Sequence, residues 1–283
     1  LVEQWMTVLC ISRGYRIYYI NDCVALQQNA NVLSFWSRTN RLQLNEPKCY
    51  VMSPTKQKCP IIYPYKINDY TISRTDSFKD LGVTFDNQLT FIPHVNDVVE
   101  RSLKTLGFIH RSCKDFTKIQ PLIMLFVALV RSKLEYGALI WSPLYNIHID
   151  HLESVQRRFL KFICYKLDGV YPERGISEIN LLTRFLLNSL RVRRLTQSIT
   201  FLFKLLHNKI DCTHIISKIC YTVPRINARY KICFHLDTCR TNALARSPIF
   251  VMCNTFNGIS HLCDINFDNV NVIKQKIFEV YGI

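Results

Sequence analysis

The stretch CISRGYRIYYIND, Cys10 to Asp22, sets two apolar, β-leaning runs, Trp5–Ile11 and Tyr15–Ile20, on either side of Ser12-Arg13-Gly14. This pattern reads as a β-hairpin, with Gly14 free to take a positive φ at the tip. The tip carries a cation and no acid. Asn21 or Asp22 then caps a helix in which Leu26, Ala30, Leu33 and Trp36 recur at helical spacing, running to about Arg41. Cys49–Ser53 reads as a strand, and Tyr65–Ile67 with Tyr70–Ile72 as a tight hairpin about Asn68-Asp69. Phe78–Phe85 reads as a further strand interrupted by Gly82.

From Pro93 the apolar period becomes helical. Val95, Val98, Ser102, Leu106 and Ile109 mark one helix. Ile119–Tyr136 marks a second, apolar over most of its surface and therefore expected to be buried. Leu152, Val155, Phe159, Phe162 and Ile163 mark a third, and Ile179–Leu187 and Arg191–Leu206 two more. Beyond Asp211 the text turns irregular, with Pro224, Pro248 and strand-like pieces such as Tyr230–Leu236, before a short helix at Val270–Val280. The expected fold class is α+β. An antiparallel sheet with a helix (1–90) precedes a mainly helical bundle (91–210) and an irregular C-terminal extension (211–283).

The 283 residues hold 36 Lys and Arg against 21 Asp and Glu, a formal net charge of +15. Such an excess favours a polyanion, because neutralising phosphates releases condensed counterions. Apolar residues make up 48% of the chain, enough to build a core rather than a disordered chain. The 12 cysteines are scattered with no Cys-x-x-Cys pair, which reads as reduced core thiols in an intracellular compartment, nuclear or cytoplasmic. The longest apolar run, Pro121 to Val130, is too short to span a bilayer, so no membrane is expected. An N-terminus without Met, opening directly on a strand-like run, suggests a piece of something longer.

Six phrases in order are more specific than composition. They are LQLNEPKCYVM (Leu42–Met52), SFKDLGVTFDNQLTFIPHV (Ser77–Val95), GFIHRSCKDF (Gly107–Phe116), VRSKLEYGALIWSP (Val130–Pro143), LESVQRRFLKFI (Leu152–Ile163) and RTNALARSPIFVMCNTFN (Arg240–Asn257). Together they resemble the C-terminal part of reverse transcriptases from non-LTR retrotransposons of the jockey-like kind, from about Tyr15 to the end. The resemblance implies the end of a polymerase palm and a thumb, with fingers, first palm half and any endonuclease lying upstream.

In that family the hairpin tip bears an aromatic-Ala-Asp-Asp motif followed by a Lys-Ile-Tyr-like phrase. Arg16-Ile17-Tyr18 matches the phrase, which sets Ser12-Arg13-Gly14 at Ala-Asp-Asp. Two-metal phosphoryl transfer needs carboxylates holding two cations about 4 Å apart. Arg13 and Gly14 stand in their place, and no two acidic residues are adjacent anywhere in the chain. The chain is therefore expected not to polymerise DNA and to use no cofactor, although an intact relative would use magnesium. An altered reading frame or unrelated exon over 1–14 would remove the motif equally.

The same resemblance places Leu44-Asn45 and Lys48 at the fourth palm motif, where the lysine sits near departing pyrophosphate; a surface lysine before a strand is the plain alternative. It places Lys79 and Gly82 in a primer grip, against a glycine at an edge-strand bulge. Arg157, Arg158 and Lys161, and Arg191, Arg193 and Arg194, lie where thumb helices would meet the phosphates of RNA or an RNA–DNA duplex, against ordinary solvated helix faces. Trp36, Trp141, Tyr136 and Tyr145 offer stacking surfaces, but their spacing favours core packing. Cys233, His235, Cys239, Cys253, His261 and Cys263 are zinc-ligand types in spacings that fit no compact knuckle, so no metal is expected. No small-molecule substrate is expected either. A host-reused nucleic-acid or protein interaction module, and a decayed element, are the rival readings.

Overall fold

The computed structural model describes residues 17–42, 44–54, 61–173, 176–223, 232–239, 242–245 and 247–282. The Ser12-Arg13-Gly14 tip and the first strand-like run lie outside them. The chain forms two compact units that divide between His94 and Val95.

In the first unit, helix α1 (Ile20–Thr39) is followed by a single 3-10 turn, Glu46–Lys48. Asp22 accepts the backbone N–H groups of Tyr18 and Tyr19 at 2.8 and 2.9 Å, closing the exposed first turn with a carboxylate. The helix therefore begins at Ile20, inside the run expected to be a strand, and residues 17–19 are not strand. Its buried positions are Cys23, Ser34 and Ser37, whereas Leu26, Ala30 and Leu33 are half-buried and Trp36 is 46% exposed. The expected apolar stripe is thus rotated from the face that packs.

Strands β1 (Tyr50–Val51) and β4 (Ser73–Arg74) pair in parallel, and β2 (Lys66–Ile67) and β3 (Tyr70–Thr71) form the hairpin read about Asn68-Asp69. Asn68 takes φ 53°, the left-handed conformation such a turn requires. Cys23, Tyr65, Ile67 and Ile72 make the small core. The Gln27 side chain donates to the Lys66 carbonyl and accepts from its N–H, both at 2.8 Å, and so locks α1 to β2.

Residues 78–85 are not one interrupted strand. β5 (Ser77–Asp80) and β6 (Val83–Asp86) pair antiparallel across a two-residue turn, with Leu81 at φ 46° and Gly82 at φ 84°. Gly82 therefore sits at a hairpin tip and not at a bulge. Phe78 stacks on Phe85 at 5.3 Å, and Phe85 meets Phe91 edge-on at 5.5 Å. The Asp86 carboxylate accepts from Thr90 and Phe91 and fixes the turn into the next helix.

The second unit is helical over most of its length. Helix α2 (Ile92–Ser112), which crosses the division, buries Val95, Val98, Ser102, Leu106 and Ile109 on one face, the period read from sequence. The segment read as Ile119–Tyr136 is α3 (Ile119–Leu125), a π-helical stretch (Phe126–Arg131) and α4 (Ser132–Glu135). It is buried along one stripe only, at Leu122, Phe126, Val130 and Leu134. Tyr136 then turns extended and Gly137 takes φ 64°, which starts α5 (Ala138–Trp141) in a new direction. Trp141 is buried, its indole N–H donating to the Tyr136 carbonyl at 2.8 Å.

Helix α6 (Asn146–Asp168) buries Leu152, Val155, Phe159, Leu160 and Ile163, with Phe159 stacked on Phe126 at 4.1 Å. After α7 (Glu178–Arg184) comes α8 (Leu190–Leu206), capped by the Ser189 hydroxyl, which accepts from the Val192 N–H. Helices α4, α5, α6, α11 and α12 all pack on α8.

The C-terminal extension is not an irregular tail. It holds α9 (Thr213–Ile216), a β7–β8 pair (Cys220–Tyr221 with Phe234–His235), α10 (Asn242–Ala245), α11 (Pro248–Ile259) and α12 (Val270–Tyr281). Pro248 stands in the first turn of α11, where its missing N–H is harmless, so it starts a helix instead of breaking one. Met252, Phe256, Ile259, Ile273 and Ile277 share one core with Ile199, Leu202 and Phe203 of α8. Asn257 pairs its amide with both backbone groups of Phe234, at 2.8 and 2.9 Å, and holds β8 against α11.

This packing makes Phe256→Ala a test. Truncating a fully buried ring removes about 3–5 kcal/mol. The loss is expected in urea unfolding followed by circular dichroism; a shift under about 1 kcal/mol would mean that α11 only lies on the surface.

Candidate nucleic-acid interface

The cations singled out in the second unit divide by partner. Arg157 on α6 reaches Glu178 on α7, with Nη2 and Nε at 2.6 and 3.0 Å from Oε2. Arg193 on α8 forks onto Glu135 at the end of α4, with its Nη2 at 2.9 Å from Oε2. Gln197 donates to the same carboxylate at 3.3 Å, and Arg131 lies at 3.8 Å. The hydrogen bond to Glu135 raises the Arg193 pKa, whereas burial and the facing Arg193 lower that of Arg131.

Arg194 is not on a solvated face: its side chain is 3% exposed and its Nη2 lies 3.8 Å from Glu153. Glu153, itself buried on α6, accepts the backbone N–H groups of Leu190 and Arg191 at 3.0 and 2.6 Å. Burial raises the Glu153 carboxyl, opposed by Arg194 and the two N–H groups, and lowers the Arg194 guanidinium, opposed by Glu153. Three of the six cations therefore already have an internal carboxylate. Arg158 and Arg191 are exposed and Lys161 is half-buried. None of these three has an ion pair among the described residues.

In the first unit, Lys48 is exposed at the end of the 3-10 turn just before β1, and Lys79 is exposed on β5 two residues before the Leu81-Gly82 tip. Tyr136 and Tyr145 are 58% and 44% exposed, so with Trp36 they depart from core packing, which holds for Trp141. Arg13 and Gly14 lie outside the described residues. Ser12-Arg13-Gly14 contains no carboxylate, the ligand type that magnesium takes in two-metal phosphoryl transfer. Among the described residues no His, Cys, Asp and Glu group of three or more is placed to hold a metal ion. No described helix is long and apolar enough to cross a membrane.

The sequence reading missed the acids. Glu135, Glu153 and Glu178 each lie on a helix remote in sequence from the arginine they hold, and only packing brings them together. A near signal existed in Ser189, a capping residue directly before the basic helix.

Three thiols, Cys233, Cys253 and Cys263, belong to the C-terminal core. Burial pushes Cys253 up to about 12, and Cys233 and Cys263 up to about 11. Iodoacetamide at about pH 8 should label exposed Cys220 and Cys239 well before Cys253 in the folded chain, read by peptide mass spectrometry. Equal rates would contradict the packing of α11. Glu153→Gln should lower stability by about 3 kcal/mol, because it strands Arg194 and one backbone N–H. Urea unfolding reads this, and adding Arg194→Met should recover part of the loss.

No protein-family model and no solved structure matches the chain. Its sequence is similar to a probable RNA-directed DNA polymerase from transposon X-element of Drosophila melanogaster, 23% identical over 144 residues. The match takes in 49% of this chain and 15% of that relative, so the chain spans a small part of the relative's length. Over about half its length, this chain is thus a distant relative of a transposon reverse transcriptase, as the six ordered phrases suggest.

Proposed function

We propose that the chain is a reverse-transcriptase-related fragment that does not polymerise by itself and that holds RNA or an RNA–DNA duplex without reading sequence. The carrying observation is the sorting of its basic helix faces. Arg157, Arg193 and Arg194 are neutralised from within, and Arg158, Lys161 and Arg191 keep their charge for a partner. Phosphate contacts of this kind give affinity and orientation but no base discrimination. The exposed Lys79 near the Leu81-Gly82 tip supports a grip on a nucleic-acid backbone, since Gly82 has no side chain to hold another backbone away. Arg13-Gly14 in place of a carboxylate pair supports inactivity, and Lys48 alone cannot hold the metal ions.

Fluorescence anisotropy with a labelled RNA–DNA duplex over a salt series tests this reading. Replacing Arg158, Lys161 and Arg191 by Ala should lower the salt slope by about 0.7–0.9 for each phosphate that is no longer neutralised. Arg157→Ala, which removes a charge already paired, should change it far less. A slope unchanged by the triple substitution, or primer extension by purified chain with magnesium, would overturn the respective half of the proposal.

A further inference from the structure

A groove of about 500 Å³ runs along α8 in the second unit, walled by α5 and α12. Leu139, Phe201 and Phe278 give it an apolar lining, and Lys204 and Lys274 stand among them. No carboxylate lines it. Its third cation, Arg193, is already held by Glu135, which leaves two ammonium groups with no ion pair among the described residues. Each wall repeats one arrangement: Phe201 and Lys204 lie one turn apart on α8, and Lys274 and Phe278 one turn apart on α12. A ring and an ammonium are thus offered twice, from two helices, to one cavity.

The volume is that of a small-molecule site, and the lining joins four apolar residues to six polar ones, most of which are already engaged within the protein. The hydroxyls of Thr196 and Thr200 donate to their own helix carbonyls, at 2.8 and 2.7 Å, and the Gln197 amide donates to Glu135 at 3.3 Å, which leaves the lysines as the groove's cations without an ion pair among the described residues. We propose that this groove binds an organic monoanion with an apolar body, such as a medium-chain carboxylate. The anionic group pairs with Lys204 and Lys274, and the body lies on Phe201, Phe278 and Leu139. This goes beyond the duplex-binding reading and does not depend on it, because Arg158, Lys161 and Arg191 are not part of the lining.

The test uses the full chain with anilinonaphthalene sulfonate, an aromatic anion that fluoresces on leaving water, and dodecanoate as competitor. One saturable site is expected, emptied by dodecanoate and not by dodecanol. Lys204→Glu and Lys274→Glu should each weaken the probe about tenfold or more, the worth of one charge-assisted hydrogen bond. Thr200→Trp, which fills the groove, should abolish binding. Thermal melts of each variant are read first. The double Lys→Gln variant, which keeps the methylene stems, replaces any charge reversal that fails to fold. Probe affinity indifferent to all these changes would overturn the proposal, as would equal displacement by dodecanol or displacement by a short oligonucleotide and not by dodecanoate.

Discussion

The second unit depends on one buried carboxylate. The first N–H groups of a helix have no partner within it, and in the first turn of α8 Leu190 and Val192 are buried. Glu153 supplies a partner from α6, accepting from both Leu190 and Arg191. A lone buried carboxylate would be costly, but this one faces the positive end of a helix and the Arg194 guanidinium. That junction sets the direction of α8, and α8 carries the apolar residues on which α11 and α12 close. The core of the C-terminal extension is therefore positioned by a polar junction near the opposite end of the same helix.

The same constraint rations the charge. With 36 cations and 21 acids, one-to-one pairing leaves a large minority of the basic residues without an acid. Asp97 holds Arg101 within α2, but the other acids that hold arginines among the described residues stand at helix junctions: Glu135 ties α4 to α8, Glu178 ties α7 to α6, and Asp168 holds Arg184 in a two-pronged pair at 2.7 Å. Pairs at junctions fix geometry, whereas the remaining cations contribute a field that polyanions feel at a distance. Whether a given arginine belongs to structure or to surface is thus decided by where the few carboxylates fall.

Much of this was legible before folding. Apolar period located α2, α6, α8 and α12, since a helix burying one stripe must repeat it. The Asn68-Asp69 turn was legible because a left-handed residue is chemically marked. What failed shares one cause, dependence on which surfaces meet rather than on spacing along one element. Leu81-Gly82 looked like a defect in one strand because the residues on both sides are equally β-prone; only cross-strand pairing of Phe78 with Phe85 makes it a turn. Trp36 looked like core because its spacing fits, yet α1 packs through Cys23, Ser34 and Ser37, and an exposed ring lies on another side. Arg157, Arg193 and Arg194 read as cations open to phosphates or solvent because the acids that claim them lie on other helices.

The C-terminal extension shows how a weak sequence signal can carry a strong structural role. Its strands are two residues long and could not stand alone. They are held because the Asn257 amide imitates a third strand, meeting the donor and acceptor of Phe234 from a helix. Phe234 is thereby fixed with its ring against Phe256 at 5.7 Å, inside the core that α8 shares. A polar side chain on the wall of an apolar core thus converts an irregular segment into part of that core. The same logic runs through Glu153 at the other end: in this chain, sparse polar groups decide which apolar surfaces meet.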